Sequence, residues 1–154
     1  MKINTRTVKE LGQLTIRADI SPQEIDSNPP FGVSYPKPFS CLVQADALDK
    51  KEVLIQGQLQ GQTRLTCSRC LEEFDQTLSV PFELVAPLNE GELDLSGEVT
   101  QAVVLALPMK PLCRDRCKGL CPRCGQNLNN ASCGCKPEVV HPGLETFKNL
   151  KITR

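Results

Sequence analysis

Hydrophobic and polar residues alternate strictly through the middle of this chain. Val53, Ile55, Gly57, Leu59, Gly61, Thr63, Leu65 and Cys67 share one parity, and Gln56, Gln58, Gln60, Gln62, Arg64 and Thr66 the other. A period of two sends successive side chains to opposite faces of a sheet, so the run predicts strand with one buried face. Gly57 and Gly61 have no side chain to pack and mark places for a bulge, bend or turn. The run is therefore one long strand or two shorter ones. The alternation resumes after Cys70, where Leu78, Val80, Phe82 and Leu84 alternate with Thr77, Ser79, Pro81 and Glu83. Pro81 has no N–H for a ladder, which suits an edge or a bulge. Residues 41–48 (CLVQADAL) predict a further strand, and together these form an antiparallel meander.

The period then changes. Leu95, Val99, Ala102, Val103 and Ala106 recur at helical spacing, with Asp94 or Ser96 placed to cap the start and Pro108 to end it. Residues 1–20 carry a short apolar pattern (Leu11, Leu14, Ile16, Ile20) that predicts one or two strands or turns. Pro22, Pro29, Pro30, Pro36 and Pro38 make 21–40 an irregular connector without regular helix. Tyr35 and Phe39 are placed to pack from it onto the domain. Beyond residue 109 cysteine, glycine and proline punctuate the chain at short range. A final amphipathic turn is predicted over 142–150, with Pro142 at its first position and Leu144, Phe147 and Leu150 facing inward.

Composition narrows the class. At 154 residues the chain suits one ordinary domain, and with 4% aromatics and no Trp its core must be aliphatic. No apolar run follows Met1 and no stretch is long enough to span a bilayer, so a cytoplasmic protein without membrane partners is expected. Nine cysteines in a reducing compartment point to metal or redox chemistry rather than disulfides.

Three clusters stand out: Cys67-x2-Cys70, Cys113-x3-Cys117, and Cys121-x2-Cys124 with Cys133-x-Cys135. A two-residue gap lets both sulfurs of a tight turn converge on one ion, and zinc takes four such ligands in a tetrahedron. Gly125 and Gly134 let the backbone turn its N–H groups toward the thiolates. Cys41 lies in a strand and reads as a small buried hydrophobe. Eight cysteines remain, enough for two structural zinc ions. The economical partition gives Cys121, Cys124, Cys133 and Cys135 one local site, while Cys67 and Cys70 join Cys113 and Cys117 in the other. A competing partition places Cys67, Cys70, Cys121 and Cys124 around a single ion. An iron–sulfur cluster also takes four cysteines. A redox Cys-x2-Cys needs a helix N-terminus, whereas Cys67 ends one strand and another follows.

Four sulfurs leave no open coordination position, so a catalytic metal is disfavoured. The single histidine, His141, lies away from the clusters, and no nucleophile–base set or phosphate loop is present. The expected fold is α+β: mainly antiparallel sheet, one central helix and a C-terminal cysteine-rich, zinc-bound extension. Its divisions are 1–40 (N-terminal segment and Pro-rich connector), 41–108 (sheet plus helix core) and 109–154 (cysteine-rich, basic, zinc-binding tail).

Charge is zero overall but uneven: nine Lys/Arg face 15 Asp/Glu up to Pro108, and nine face three beyond it. Eight thiolates and two Zn²⁺ would bring the loaded protein near −4. Arg114, Arg116, Lys118, Arg123 and Lys136 then either offset the metal centres or project outward to meet phosphates.

The run LPMKPLCRDRCKGLCPRCGQNLNNASCGC (107–135), preceded by CSRCLEEF (67–74), resembles the YceD family, a bacterial and plastid group catalogued as a domain of unknown function. The likeness covers about residues 50–150. It implies a role in accumulation of 23S ribosomal RNA and assembly of the large ribosomal subunit, with no enzymatic activity. Ribosomal RNA, large-subunit assembly intermediates and ribosomal proteins are the partners implied. Two other readings stay open from the residues: a zinc-ribbon nucleic-acid-binding module in transcription, and a pure protein-interaction scaffold using a sheet edge or the 142–150 segment.

Overall fold

The computed structural model describes residues 1–26, 28–49, 51–88 and 91–135. The predicted turn at 142–150 and His141 lie outside the described residues. Along the chain run β1 (Lys2–Asn4), α1 (Thr5–Leu11), β2 (Gln13–Ile20), α2 (Pro22–Ile25), β3 (Val33–Ser34) and β4 (Phe39–Ala47). They are followed by β5 (Glu52–Thr66), β6 (Glu73–Pro87), β7 (Glu92–Asp94) and α3 (Ser96–Ala106).

The architecture is mainly antiparallel sheet with a few helices. β2, β4 and β5 pair in order, β3 extends the β4 side of β5, and β6 lines the other side of β5 along its whole length. β1 and β7 form a separate two-stranded ribbon. The alternation of β5 is realised as one uninterrupted strand, because each glycine makes room for a ring. Phe82 lies over Gly57 and Phe39 over Gly61, where an added Cβ would collide with the aromatic carbons. Pro81 falls on β6, which pairs with β5 alone and is an edge strand.

One face of the sheet is dry. Ile20, Phe39, Cys41, Val43, Val53, Ile55, Leu59 and Val80 meet Val8, Ile25, Leu95, Val99 and Val103 in a continuous core. Tyr35 and Phe39 join it with their rings edge to face at 5.9 Å. Cys41 is buried in this core, and burial pushes its thiol up, as for a small hydrophobe. The opposite face is a polar lattice. Gln56 Nε2 donates to Glu83 Oε2 at 2.8 Å, Gln58 Nε2 to Ser79 Oγ at 2.8 Å, and Arg64 grips both oxygens of Asp75.

The helices depart from the expectation of a single one. Residues 5–11 fold as α1, capped when the Asn4 side chain accepts the Arg6 N–H and closed by Gly12 at φ 76°. The proline-rich connector also holds a single turn, α2. Pro22 sits in the first turn, where no N–H is required, and Ser21 with Glu24 forms a capping box. The predicted helix is α3, with Asp94 Oδ1 accepting the Ser96 N–H at 2.9 Å. Leu95, Val99 and Val103 of its stripe are buried, whereas Ala106 is exposed because the helix ends as it leaves the core. Among the described residues no helix is long and apolar enough to cross a membrane.

Candidate metal centre

The longest hairpin carries the first cysteine pair at its tip. Thr66 of β5 pairs with Glu73 of β6, and the loop between them is closed by the Cys67 N–H donating to Glu72 O at 2.9 Å. Cys67 O accepts the Leu71 N–H at 3.0 Å, which turns Cys67 and Cys70 toward the same point. This turn puts Leu71 at φ 59°, a left-handed conformation unusual for a side chain of its size. The second Cys-x2-Cys turn repeats it: Gly125 stands in the matching place at φ 71° and donates to Cys121 O at 2.9 Å.

After α3 the chain returns to the hairpin tip. Ser68 N–H donates to Pro111 O at 2.8 Å, Leu120 N–H to Arg69 O at 3.1 Å, and Arg69 Nη1 to Cys117 O at 2.9 Å. These bonds bring Cys113 and Cys117 beside residues more than forty positions earlier. The sulfurs of Cys67, Cys70, Cys113 and Cys117 lie within 4.8 Å of one another. Those of Cys121, Cys124, Cys133 and Cys135 form a second such group. All eight residues singled out by spacing are therefore gathered, in the economical partition. The alternative grouping of Cys67 and Cys70 with Cys121 and Cys124 does not occur.

The donor geometry suits one ion per group. Four sulfurs about 2.3 Å from a tetrahedral zinc stand about 3.8 Å apart. The Cys67–Cys117 and Cys70–Cys113 sulfur pairs are separated by 3.8 and 3.6 Å. A [4Fe–4S] cluster spreads its cysteines further, since each sulfur sits on a different iron. In either group, four sulfurs would fill the coordination shell of such an ion and leave no position for substrate.

The two groups differ in setting. Cys67, Cys70 and Cys117 are buried and share a small second core with Phe74, Leu112 and Leu120. In the other group Cys121 is buried, Cys133 and Cys135 are half-buried and Cys124 is exposed.

Within each group the thiols are driven apart in acidity. Burial works against ionisation of Cys67, but N–H groups from Cys70, Cys113 and Arg69 outweigh it and hold the thiol at about 6. At Cys70 the Glu72 N–H favours the thiolate, yet burial and the sulfurs of Cys67, Cys113 and Cys117 push it up to about 12. The second group repeats this. N–H groups of Cys124 and Arg123 lower Cys121 to about 6, while the sulfur of Cys124, burial and the remaining sulfurs raise Cys135 to about 12. Four thiolates cannot crowd together unless a cation neutralises them.

Spacing alone missed Asn129. Its Nδ2 donates to Cys117 Sγ at 3.3 Å and to Asn127 Oδ1 at 2.8 Å, while its Oδ1 accepts the Lys118 N–H at 2.8 Å. It reaches from the loop of the second group to a sulfur of the first. The asparagine run between Cys124 and Cys133 was the available signal. Gly119 was missed as well: at φ 75°, with Arg69 O only 3.1 Å from where a Cβ would stand, it lets the two loops meet. The basic residues Arg114, Arg116, Lys118 and Arg123 are all exposed around these loops.

Comparisons with known proteins point to one family. A family model described as "Large ribosomal RNA subunit accumulation protein YceD" matches residues 83–151. This stretch matches the YceD family. A chloroplastic YCED homolog 1 of Zea mays, named as a large ribosomal RNA subunit accumulation protein, is 30% identical over 150 residues, 94% of this chain and 46% of the relative. The Arabidopsis thaliana protein of the same name is 27% identical over 113 residues, 73% of this chain and 35% of its own. The YceD protein of Haemophilus influenzae is 35% identical over 81 residues, 41% of this chain and 47% of its own. The chain spans less than half the length of each of these relatives. No solved structure matches it.

Proposed function

We propose that this chain is a non-catalytic zinc-binding factor for accumulation of 23S ribosomal RNA, acting in the cytoplasm on ribosomal RNA or large-subunit assembly intermediates. The observation that carries the metal half is the convergence of eight cysteines into two groups of four, with two sulfur separations of about one tetrahedral edge in the first group. The name shared by relatives in maize, Arabidopsis and Haemophilus supports the ribosomal half.

In this reading Cys67, Cys70, Cys113 and Cys117 hold one zinc and fasten the tail at 109–154 to the hairpin tip. Cys121, Cys124, Cys133 and Cys135 hold a second and give the tail its local shape. Both ions are structural, supplying folding energy and neutralising thiolates. No step of catalysis is assigned to them.

Two measurements test the proposal. Elemental analysis of the purified chain is expected to give two zinc ions, and complete chelation to unfold at least residues 113–135. A thermal transition and circular dichroism unchanged by metal removal would overturn the structural role. For the second half, the chain is expected to co-sediment with large-subunit precursors and to be released by ribonuclease. Sedimentation only as free protein, with 23S RNA levels unchanged on deletion, would overturn the ribosomal assignment.

A further inference from the structure

Apolar side chains gather on the surface near the first cysteine group. Segments before β3 and after α3 enclose an apolar groove of ≈ 300 Å³, lined by Phe31, Val33, Val104, Leu107, Met109 and Pro111 among others. Phe31 and Met109 are fully exposed, and neighbouring Leu105 is 75% exposed. Apolar side chains concentrated in one concave place mark a surface that something covers. Pro111, at one end of the groove, is held by the Ser68 N–H and stands two residues before Cys113.

The chain itself carries a suitable occupant. Beyond Cys135 it continues for 19 residues, in which Leu144, Phe147 and Leu150 recur every third position, the spacing of one helical face. Glu145 and Lys148 balance each other, so the stretch brings no net charge to an apolar site. It is also long enough. Cys135 and Cys121 approach through their sulfurs, Leu120 is bonded to Arg69, and Ser68 to Pro111. Drawn out straight, that path spans at most about 30 Å, and seven extended residues from Cys135 to Pro142 followed by helical rise to Phe147 reach about 31 Å, enough to arrive at the groove.

We propose that the 142–150 segment docks into this groove of its own chain, seating Phe147 against Phe31 and Met109. The proposal is independent of the ribosomal reading.

The absence of tryptophan provides a clean reporter. In the full-length chain, Phe147→Trp places a single indole in the segment. Its emission is expected to be blue-shifted from that of solvated tryptophan, with acrylamide quenching slowed several-fold. Met109→Ser and Phe31→Ser, both exposed positions that the core does not need, are expected to return emission and quenching to solvated values. A solvated indole in the unaltered background would overturn the proposal. So would protection that the groove substitutions leave untouched. Protection that fades on dilution, with a dimer in sedimentation, would assign the groove to a second copy and overturn docking within one chain.

Discussion

Asn129 offers the sharpest test of how the two cysteine groups depend on each other. Its side-chain amide donates to Cys117 Sγ at 3.3 Å, and the amide oxygen is fixed by the Lys118 N–H. A neutral amide donating to a thiolate contributes about 1.5–3 kcal/mol. At about 1.4 kcal/mol per decade this predicts that Asn129→Ala weakens metal at the first group about 10- to 100-fold, the range typical of residues that orient metal ligands. Asn129→Asp keeps an oxygen for Lys118 but places a negative charge against the sulfur, and is expected to be at least as damaging. Titration with a competing chromophoric chelator, resolving two binding steps, reads the effect directly. One affinity should fall and the other should hold. Affinities within about threefold of the parent for both steps would be too small for any charge-assisted bond, and the contact would carry no weight.

Gly119→Ala and Gly125→Ala both force a side chain into the left-handed region, costing about 1 kcal/mol each, and Gly119→Ala also drives a Cβ against Arg69 O. Urea midpoints should fall for both variants and further for Gly119→Ala; equal losses would mean that the loops do not meet as closely as described. Metal affinity should rise with pH. The ion requires thiolates, whereas metal-free Cys70 and Cys135 sit at about 12 and remain protonated at neutrality, so each binding event expels protons. Apparent affinity should drop about tenfold per pH unit for every proton expelled, and a pH-independent constant between neutrality and mild acid would contradict it. Tyr35 is buried with its hydroxyl unpartnered, so Tyr35→Phe should leave stability unchanged or raise it by up to about 1–3 kcal/mol. A clear loss in the urea midpoint would show that the hydroxyl is bonded in solution.

Much of this architecture was legible from periodicity. The alternation in β5 and β6 and the stripe at Leu95, Val99 and Val103 depend on neighbours only a few positions away, and each was realised. Helices α1 and α2 escaped because a seven-residue helix and a single capped turn are too short to establish a stripe. Proline density argued against α2, although the one proline inside it stands where helices tolerate proline.

The cysteines divide in the same way. Their spacing determined which pairs form tight turns, because a knuckle is built from adjacent residues, but left open whether the eight make two sets of four. Whether Cys67 and Cys70 would meet Cys113 and Cys117 or Cys121 and Cys124 depended on where the β5–β6 hairpin ends relative to the end of α3. That distance is set by packing across the whole domain. Asn129 on Cys117 and the apolar groove beside Pro111 likewise exist only once separate segments touch. Local chemistry chose the candidate ligands; the tertiary fold chose their partners, because contacts across more than forty residues have no periodicity to announce them.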